Sequence, residues 1–261
     1  MVVDGKIIAE SVYAAIGTKL RGKRLGIVVS TGDVVTDSYV RIKARAAERL
    51  GVEIVRRELS PDATTADALA AVASLVEVAD GIIVQLPLPP QADADTVLAA
   101  VPPERDVDAL NTGAFVTAPV AGAVREILKT ADIDAAGKRA VVIGQGRLVG
   151  VPCAALLREL GADVMVVTRG DSLEPLHDAD IVVSGAGVPG LIKPDMIRNG
   201  VVLIDAGTSE SSGKVAGDAD SACAEKASVF TPVPGGVGPL AIAMIFKNLF
   251  DLMQEKDSPT K

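Results

Sequence analysis

Tyr39 and Lys43 stand four residues apart in Tyr39-Val40-Arg41-Ile42-Lys43, so a helix there points both from one face. If that face is partly buried, loss of water disfavours the ammonium and makes Lys43 usable as an acid or base near neutrality. Tyr39 would add a ring to stack on and a hydroxyl to bond with. Gln85 lies in Val84-Gln85-Leu86-Pro87-Leu88-Pro89, where an apolar run stops at prolines. That is the carboxyl end of a strand, where open α/β sheets place ligand groups. Arg105-Asp106-Val107-Asp108 offers a carboxylate, Asp106 or Asp108, able to accept two parallel N–H bonds from an amino-substituted heterocycle. Each of these also has a plain reading: a solvated lysine, polar punctuation at a strand end, a turn residue or the salt-bridge partner of Arg105. His177 is the only histidine and falls in a stretch that reads as an exposed helix. Proton chemistry therefore rests mainly on Lys, Asp, Glu or Tyr.

A different chemistry is written at Ala140-Val141-Val142-Ile143, which runs into Gly144-Gln145-Gly146-Arg147-Leu148-Val149-Gly150 and then a helix with an early Pro152. Glycines there allow a tight turn and close backbone approach, and the helix start attracts a pyrophosphate. The third glycine comes one residue later than in the common dinucleotide fingerprint. The next strand ends Val166-Val167-Thr168-Arg169, without the acid that would accept a bond from the ribose of NAD. An arginine suits a phosphate, so NADP is expected ahead of NAD, with Arg169 as clamp and Arg147 as support. The plain alternative is a solvated charge at a strand end. Near the end of the chain, Thr231-Pro232-Val233-Pro234-Gly235-Gly236-Val237-Gly238-Pro239 combines prolines that fix the backbone with glycines that let main-chain groups approach a ligand.

The elements that must carry these groups alternate. Strands are expected at 25–30, 53–59 and 81–85, with helices at about 37–50, 65–78 and 94–101. Thr36, Asp37 or Ser38 could cap the helix bearing Lys43. A polar stretch from Pro102 to Pro119 separates these from strands at 140–143, 163–168, 181–184 and 201–205. The last apolar helix, 240–253, could pack back on the first unit. The 261 residues are 49% hydrophobic but only 2% aromatic, so the interior is Ala, Val, Leu and Ile, as in parallel sheets covered by helices. The fold class is α/β, in two lobes, the second a Rossmann-like parallel sheet. A net charge of -8 with signs interspersed argues against nucleic acid or an anionic membrane as partner. No apolar run reaches the ~20 residues of a membrane span, and a cytoplasmic address is expected. Cys153 and Cys223 share no metal-type spacing and read as packed thiols, so no metal is expected.

Together these motifs resemble the bifunctional methylenetetrahydrofolate dehydrogenase/methenyltetrahydrofolate cyclohydrolase family, almost end to end from Asp4-Gly5-Lys6 onward. The resemblance implies a catalytic Lys43 assisted by Tyr39 and Gln85, an Asp108 that binds the pterin ring, and Pro234, Gly235, Gly236, Val237 and Gly238 lining the folate cleft. It implies NADP contacts at Gly144, Gln145, Gly146, Arg169 and Thr208, beside the Arg147 and Gly150 of the glycine turn. It also implies a catalytic domain of residues 1–120 plus 240–261, an NADP-binding domain of 121–239 and a homodimer.

Three segments depart from the family pattern. Ala118-Pro119-Val120-Ala121-Gly122 lacks a cysteine and a basic residue, Leu240-Ala241 replaces Met-Thr, and Ala109 follows Asp108 where glycine is usual. Two other functions stay open: a monofunctional dehydrogenase lacking the cyclohydrolase step, and a non-catalytic nucleotide- or folate-binding homologue. Retention of Tyr39, Gln85 and Lys43 speaks against the second, because a buried lysine is expensive to desolvate.

Overall fold

The computed structural model describes residues 1–31, 34–211 and 214–257, without the side chains of 34–37, 39, 210, 211, 214, 256 and 257. The chain divides into two compact units, Val12–Pro119 with Ile242–Lys261, and Met1–Ser11 with Val120–Ala241. Helix α1 (Gly5–Ile16) opens the chain.

The first unit continues with β1 (Arg24–Ser30), α2 (Val34–Leu50), β2 (Glu53–Leu59), α3 (Thr65–Val76), β3 (Gly81–Val84) and α4 (Ala94–Ala99). The strands form a parallel sheet in the order β2-β1-β3. Central β1 and β3 are buried along nearly their whole length, as strands covered on both faces must be. Thr64 starts α3 through a reciprocal capping box with Asp67, satisfying two otherwise orphaned donors. One turn in, Ala68, Val72 and Leu75 form a stripe that packs with Val28, Ile82 and Val84. Truncating Leu75 to alanine there would cost about 2–5 kcal/mol.

The carboxyl-terminal helix returns to this unit, as the sequence suggested. Buried Asn248 donates to the carbonyls of Val107 and Thr117, both at 2.8 Å. A Cβ on Gly81 would come within 2.8 Å of Leu249, so β3 and this helix touch closely.

The second unit holds α5 (Pro119–Thr130), β4 (Arg139–Ile143), α6 (Gly150–Glu159), β5 (Asp163–Val167), β6 (Ile181–Ser184), β7 (Val202–Asp205), the antiparallel hairpin β8 (Ser209–Ser211) and β9 (Lys214–Ala216), β10 (Val229–Phe230) and the start of α7 (Val237–Asp257). Its five-stranded parallel sheet runs β10-β7-β6-β4-β5. The chain leaves β4 for β5 on one side, then fills the other side from β6, so the strand order reverses between β4 and β6. Open sheets bind ligands at such a switch point, beyond the carboxyl ends of the strands.

Several expectations are corrected. Residues 1–11, expected with the first lobe, join the second unit, because Val3 N–H donates to Phe230 O and Phe230 N–H to Met1 O, extending the sheet edge at β10. Helix α2 begins at Val34, so Ser38 lies inside it and caps nothing; the side chains of Thr36 and Asp37 lie outside the described residues. Helix α7 begins at Val237, three residues before the expected start. Pro239 is tolerated there because first-turn N–H groups need no helical acceptor. Helix α5 starts at Pro119, where the polar stretch was expected to end, and covers residues to which the sequence reading gave no element. Cys153 and Cys223 are buried free thiols, as expected. Among the described residues no helix is long and apolar enough to cross a membrane, and no group of His, Cys, Asp or Glu is arranged to hold a metal ion.

Candidate functional site

In the first unit, α2 presents Val40, Lys43, Ala47 and Leu50 to the interior, all buried. Lys43 therefore occupies a position on an apolar stripe, with 7% of its surface exposed. Burial pulls its pKa below the ordinary lysine range, and the carboxylate of Asp108 acts in the opposite direction. Its Nζ donates to Gln85 Oε1 at 2.7 Å. Gln85 follows β3 directly, with its backbone N–H on Val28 O and its Nε2 on Leu86 O at 2.9 Å. The amide is thus pinned with its oxygen toward the lysine. Tyr39 sits one turn earlier on α2, and its side chain lies outside the described residues.

Asp108 is held by the turn around it. Asp106, 3% exposed, accepts from the N–H groups of Asp108 at 3.2 Å and Asn111 at 2.7 Å. Asn111 in turn donates to Ala99 O and Val101 O. Arg105 donates to the carbonyls of Val76 and Ala79 instead of pairing with either aspartate. Burial raises the pKa of Asp108, against the pull of Lys43, and pushes Asp106 up to about 6. The structure thus brings Lys43, Gln85 and Asp108 together: an amine of weakened basicity, a fixed acceptor and a carboxylate.

In the second unit, the turn after β4 explains each glycine of its motif. Gly144 has φ 99°, and a Cβ there would sit 2.8 Å from Gly185 O. A Cβ on Gly150 would fall 2.0 Å from Gly144 O, so the third glycine, one residue late, still lets α6 close onto the turn. Beside Gly146 a Cβ would meet nothing within 4 Å. Val149 precedes α6 without a side-chain cap, which leaves the helix start to whatever binds there. Gln145, Gly146 and Arg147 are exposed on the turn, Arg169 is exposed just past β5, and Thr208 is exposed after β7. Among the described residues no carboxylate pairs with Arg169.

The Pro234–Gly238 segment belongs to this second unit. Gly5 N–H donates to Gly235 O at 2.9 Å, and a Cβ on Gly5 would overlap Gly236 O at 1.7 Å. The opening Asp4-Gly5-Lys6 motif is thereby explained: only glycine lets the chain pass that close. Of the departures, Ala118 and Ala121 are buried around the start of α5, and Leu240 is fully buried in α7. Sequence reasoning missed two buried carboxylates, Asp205 and Asp218. The only signal for them was an aspartate ending the β7 run and another beside Gly217.

Residues 3–108 match the family description "tetrahydrofolate dehydrogenase/cyclohydrolase, catalytic domain", and residues 118–257 match its "NAD(P)-binding domain". The chain is 38% identical to the bifunctional protein FolD of Staphylococcus aureus strain bovine RF122 / ET3-1, over 98% of this chain and 96% of that protein. The crystal structure of the bifunctional enzyme FolD from Campylobacter jejuni is similar at a TM-score of 0.92 and 30% identity, covering 98% of this chain and 99% of that one. The Trypanosoma brucei enzyme, solved with NADP cofactor and inhibitor, gives the same TM-score and identity, covering 98% of each chain. With both halves matched and their order kept, the chain belongs to the tetrahydrofolate dehydrogenase/cyclohydrolase family.

Proposed function

We propose that this chain oxidises methylenetetrahydrofolate to methenyltetrahydrofolate with NADP and hydrolyses the product to formyltetrahydrofolate, in one-carbon metabolism. The observation that carries the reading is the buried amine of Lys43 on Gln85, in a chain matched to both domains of the family.

The second unit suits a 2′-phosphorylated dinucleotide: open space beside Gly146, an uncapped helix start and an exposed Arg169 that has no carboxylate partner among the described residues. Gly144, Gln145, Gly146, Arg147 and Gly150 would hold the pyrophosphate, Arg169 the 2′-phosphate, and Thr208 the sugar beyond. When bound, NADP supplies the hydride acceptor for the methylene carbon. The protein's part in that step is position and electrostatics. The rigid backbone of Pro234, Gly235, Gly236, Val237 and Gly238 would line the folate. Asp108 would accept N–H bonds from the pterin, and Tyr39 would stack on or bond to it.

Ring opening needs a proton shuttle. As water adds to the methenyl carbon, Lys43 takes a proton and returns one to the departing ring nitrogen. Its burial raises the share of free amine near neutrality, and Gln85 aims the nitrogen. In domain terms, the unit of 12–119 with 242–261 carries catalysis and the unit of 1–11 with 120–241 carries NADP. The protein is further read as a cytoplasmic homodimer on family resemblance, which light scattering and cell fractionation would test.

Mixing purified protein with methylenetetrahydrofolate and NADP is expected to raise absorbance at the reduced-nicotinamide band, with formyltetrahydrofolate as end product. Methenyl product accumulating at the rate of NADPH formation would reduce the protein to a monofunctional dehydrogenase. No absorbance change at all would overturn the reading.

A further inference from the structure

We infer that Asp218 is a positioning residue that fixes the loop after β6, and through it the half of the dinucleotide site lying beyond the switch point. The inference rests on the NADP reading above.

Asp218 is fully buried, at 0% exposure. Its Oδ2 accepts from Ser184 Oγ at 2.7 Å and from the N–H groups of Ala186 at 2.8 Å and Gly187 at 3.3 Å. Its Oδ1 accepts from Val188 N–H at 2.7 Å. One side chain thus ties the end of β6 to three successive residues of the loop that leaves it. Asp205, 1% exposed at the end of β7, works the other way. It accepts from Gly207 N–H at 2.9 Å and from Ala219 N–H, beside Asp218, at 2.8 Å. Each carboxylate secures the chain next to the other.

The close approach is enforced by absent side chains. A Cβ on Gly207 would lie 2.2 Å from the Asp218 carboxylate, and one on Gly217 would lie 2.2 Å from Asp205 Oδ2. Burying two carboxylates is costly unless every lone pair is used. Here the main-chain acceptances fall on loops at the carboxyl edge of the sheet, where a ligand binds. A dinucleotide spanning the switch point lays its adenosine half over β4 and β5, toward Arg169, and its other half over β6 and β7. The loops fixed by Asp218 and Asp205 are those of the second half.

The test separates the two halves. NADP and adenosine 2′,5′-bisphosphate, which carries the 2′-phosphate but no nicotinamide, are titrated calorimetrically into wild type and Asp218→Asn. An amide in place of the carboxylate turns an N–H toward backbone N–H donors. Loss of one or two charge-assisted bonds predicts NADP binding weaker by about 10- to 100-fold, with the bisphosphate within about twofold. Equal weakening of both ligands would mean that Asp218 only holds the unit folded, and no weakening of either would remove it altogether; both overturn the proposal. Should Asp218→Asn not fold, Ser184→Ala, which removes a single donor, is expected to weaken NADP alone by about threefold, and an equal change in both ligands, or none in NADP, would overturn it there. A wild type that binds neither ligand would instead defeat the NADP reading, and the inference with it.

Discussion

Lys43 Nζ lies 2.7 Å from Gln85 Oε1, while Gln85 Nε2 is engaged by Leu86 O. The lysine is therefore aimed by a neutral group that cannot turn away and cannot neutralise it. A merely structural lysine buried on the stripe of Val40 and Ala47 would be replaceable by methionine, which matches its length and prefers that environment. If Lys43 shuttles protons, Lys43→Met loses cyclohydrolase turnover by about 10²–10⁴-fold, while NADP affinity, set in the other unit, stays unchanged. Unchanged hydrolysis would remove Lys43 from the mechanism.

The charge beside that lysine gives a pH prediction. Burial lowers the pKa of Lys43 and Asp108 opposes the shift. Asp108→Asn keeps the shape and deletes the opposing charge, so Lys43 loses its proton at lower pH than in wild type. The limb of the cyclohydrolase pH–rate profile that reports the lysine is expected to move down the scale, and the folate KM to rise. A limb that stays in place or moves up would show that the two groups are not coupled as described.

How much of this was legible beforehand differs by element. The strands were plain, since buried parallel strands read as unbroken Val, Ile and Leu runs such as Ile181-Val182-Val183. Gln85 was singled out by a strand-end rule and Lys43 by its spacing from Tyr39, and the fold brings the two side chains into contact. What stayed hidden was set by partners distant in sequence. Met1 and Val3 pair with Phe230, which no local pattern announces. Helix α5 was obscured because Ala121-Gly122-Ala123 are small for packing and look like a linker. Asp205 and Asp218 drew no notice in the sequence, because only burial, set by the fold, marks them out.

On the proposed reading, Arg169 is the residue that sets the choice of cofactor. It is exposed at the end of β5 with no carboxylate partner among the described residues, so a phosphate would be the first anion it meets. Arg169→Ala removes charge-assisted bonds to the 2′-phosphate and should weaken NADP by about 10- to 100-fold. NAD, which lacks that phosphate, should change by about twofold or less. An equal loss for both nucleotides, measured by calorimetry, would defeat the assignment.

Asp106 offers a separate pH test, read in stability. Burial raises it from 3.8 to about 6 in the fold, so the native state holds this proton more tightly than the unfolded chain. The stabilisation it brings is present below about pH 4 and is lost as pH rises to about 6, on the order of 3 kcal/mol in all. Asp106→Asn cannot titrate. Urea unfolding of both proteins between pH 4.5 and 7.5 should show the wild-type advantage shrinking with pH and levelling off above 6. An advantage that grew with pH would mean that the backbone N–H groups of Asp108 and Asn111 outweigh desolvation.

Ala109 sits at φ 53°, between the carboxylate of Asp108 and the anchored Asn111, at a position where the sequence departs from the glycine usual in its family. A Cβ in the left-handed region costs about 1–2 kcal/mol, and glycine adopts it freely. Part of that gain is offset by the larger freedom glycine has in the unfolded chain, so Ala109→Gly should stabilise the protein by about 0.5–1 kcal/mol. For a chain of this size that is about 1–4 °C in Tm. Because Asp106 still holds the N–H groups on either side, kcat for both reactions should stay within about twofold of wild type. A lower denaturation midpoint would mean that the methyl group packs better than its backbone is strained. A gain in stability with a loss of turnover would mean that the alanine holds Asp108 in a geometry that a freer turn abandons.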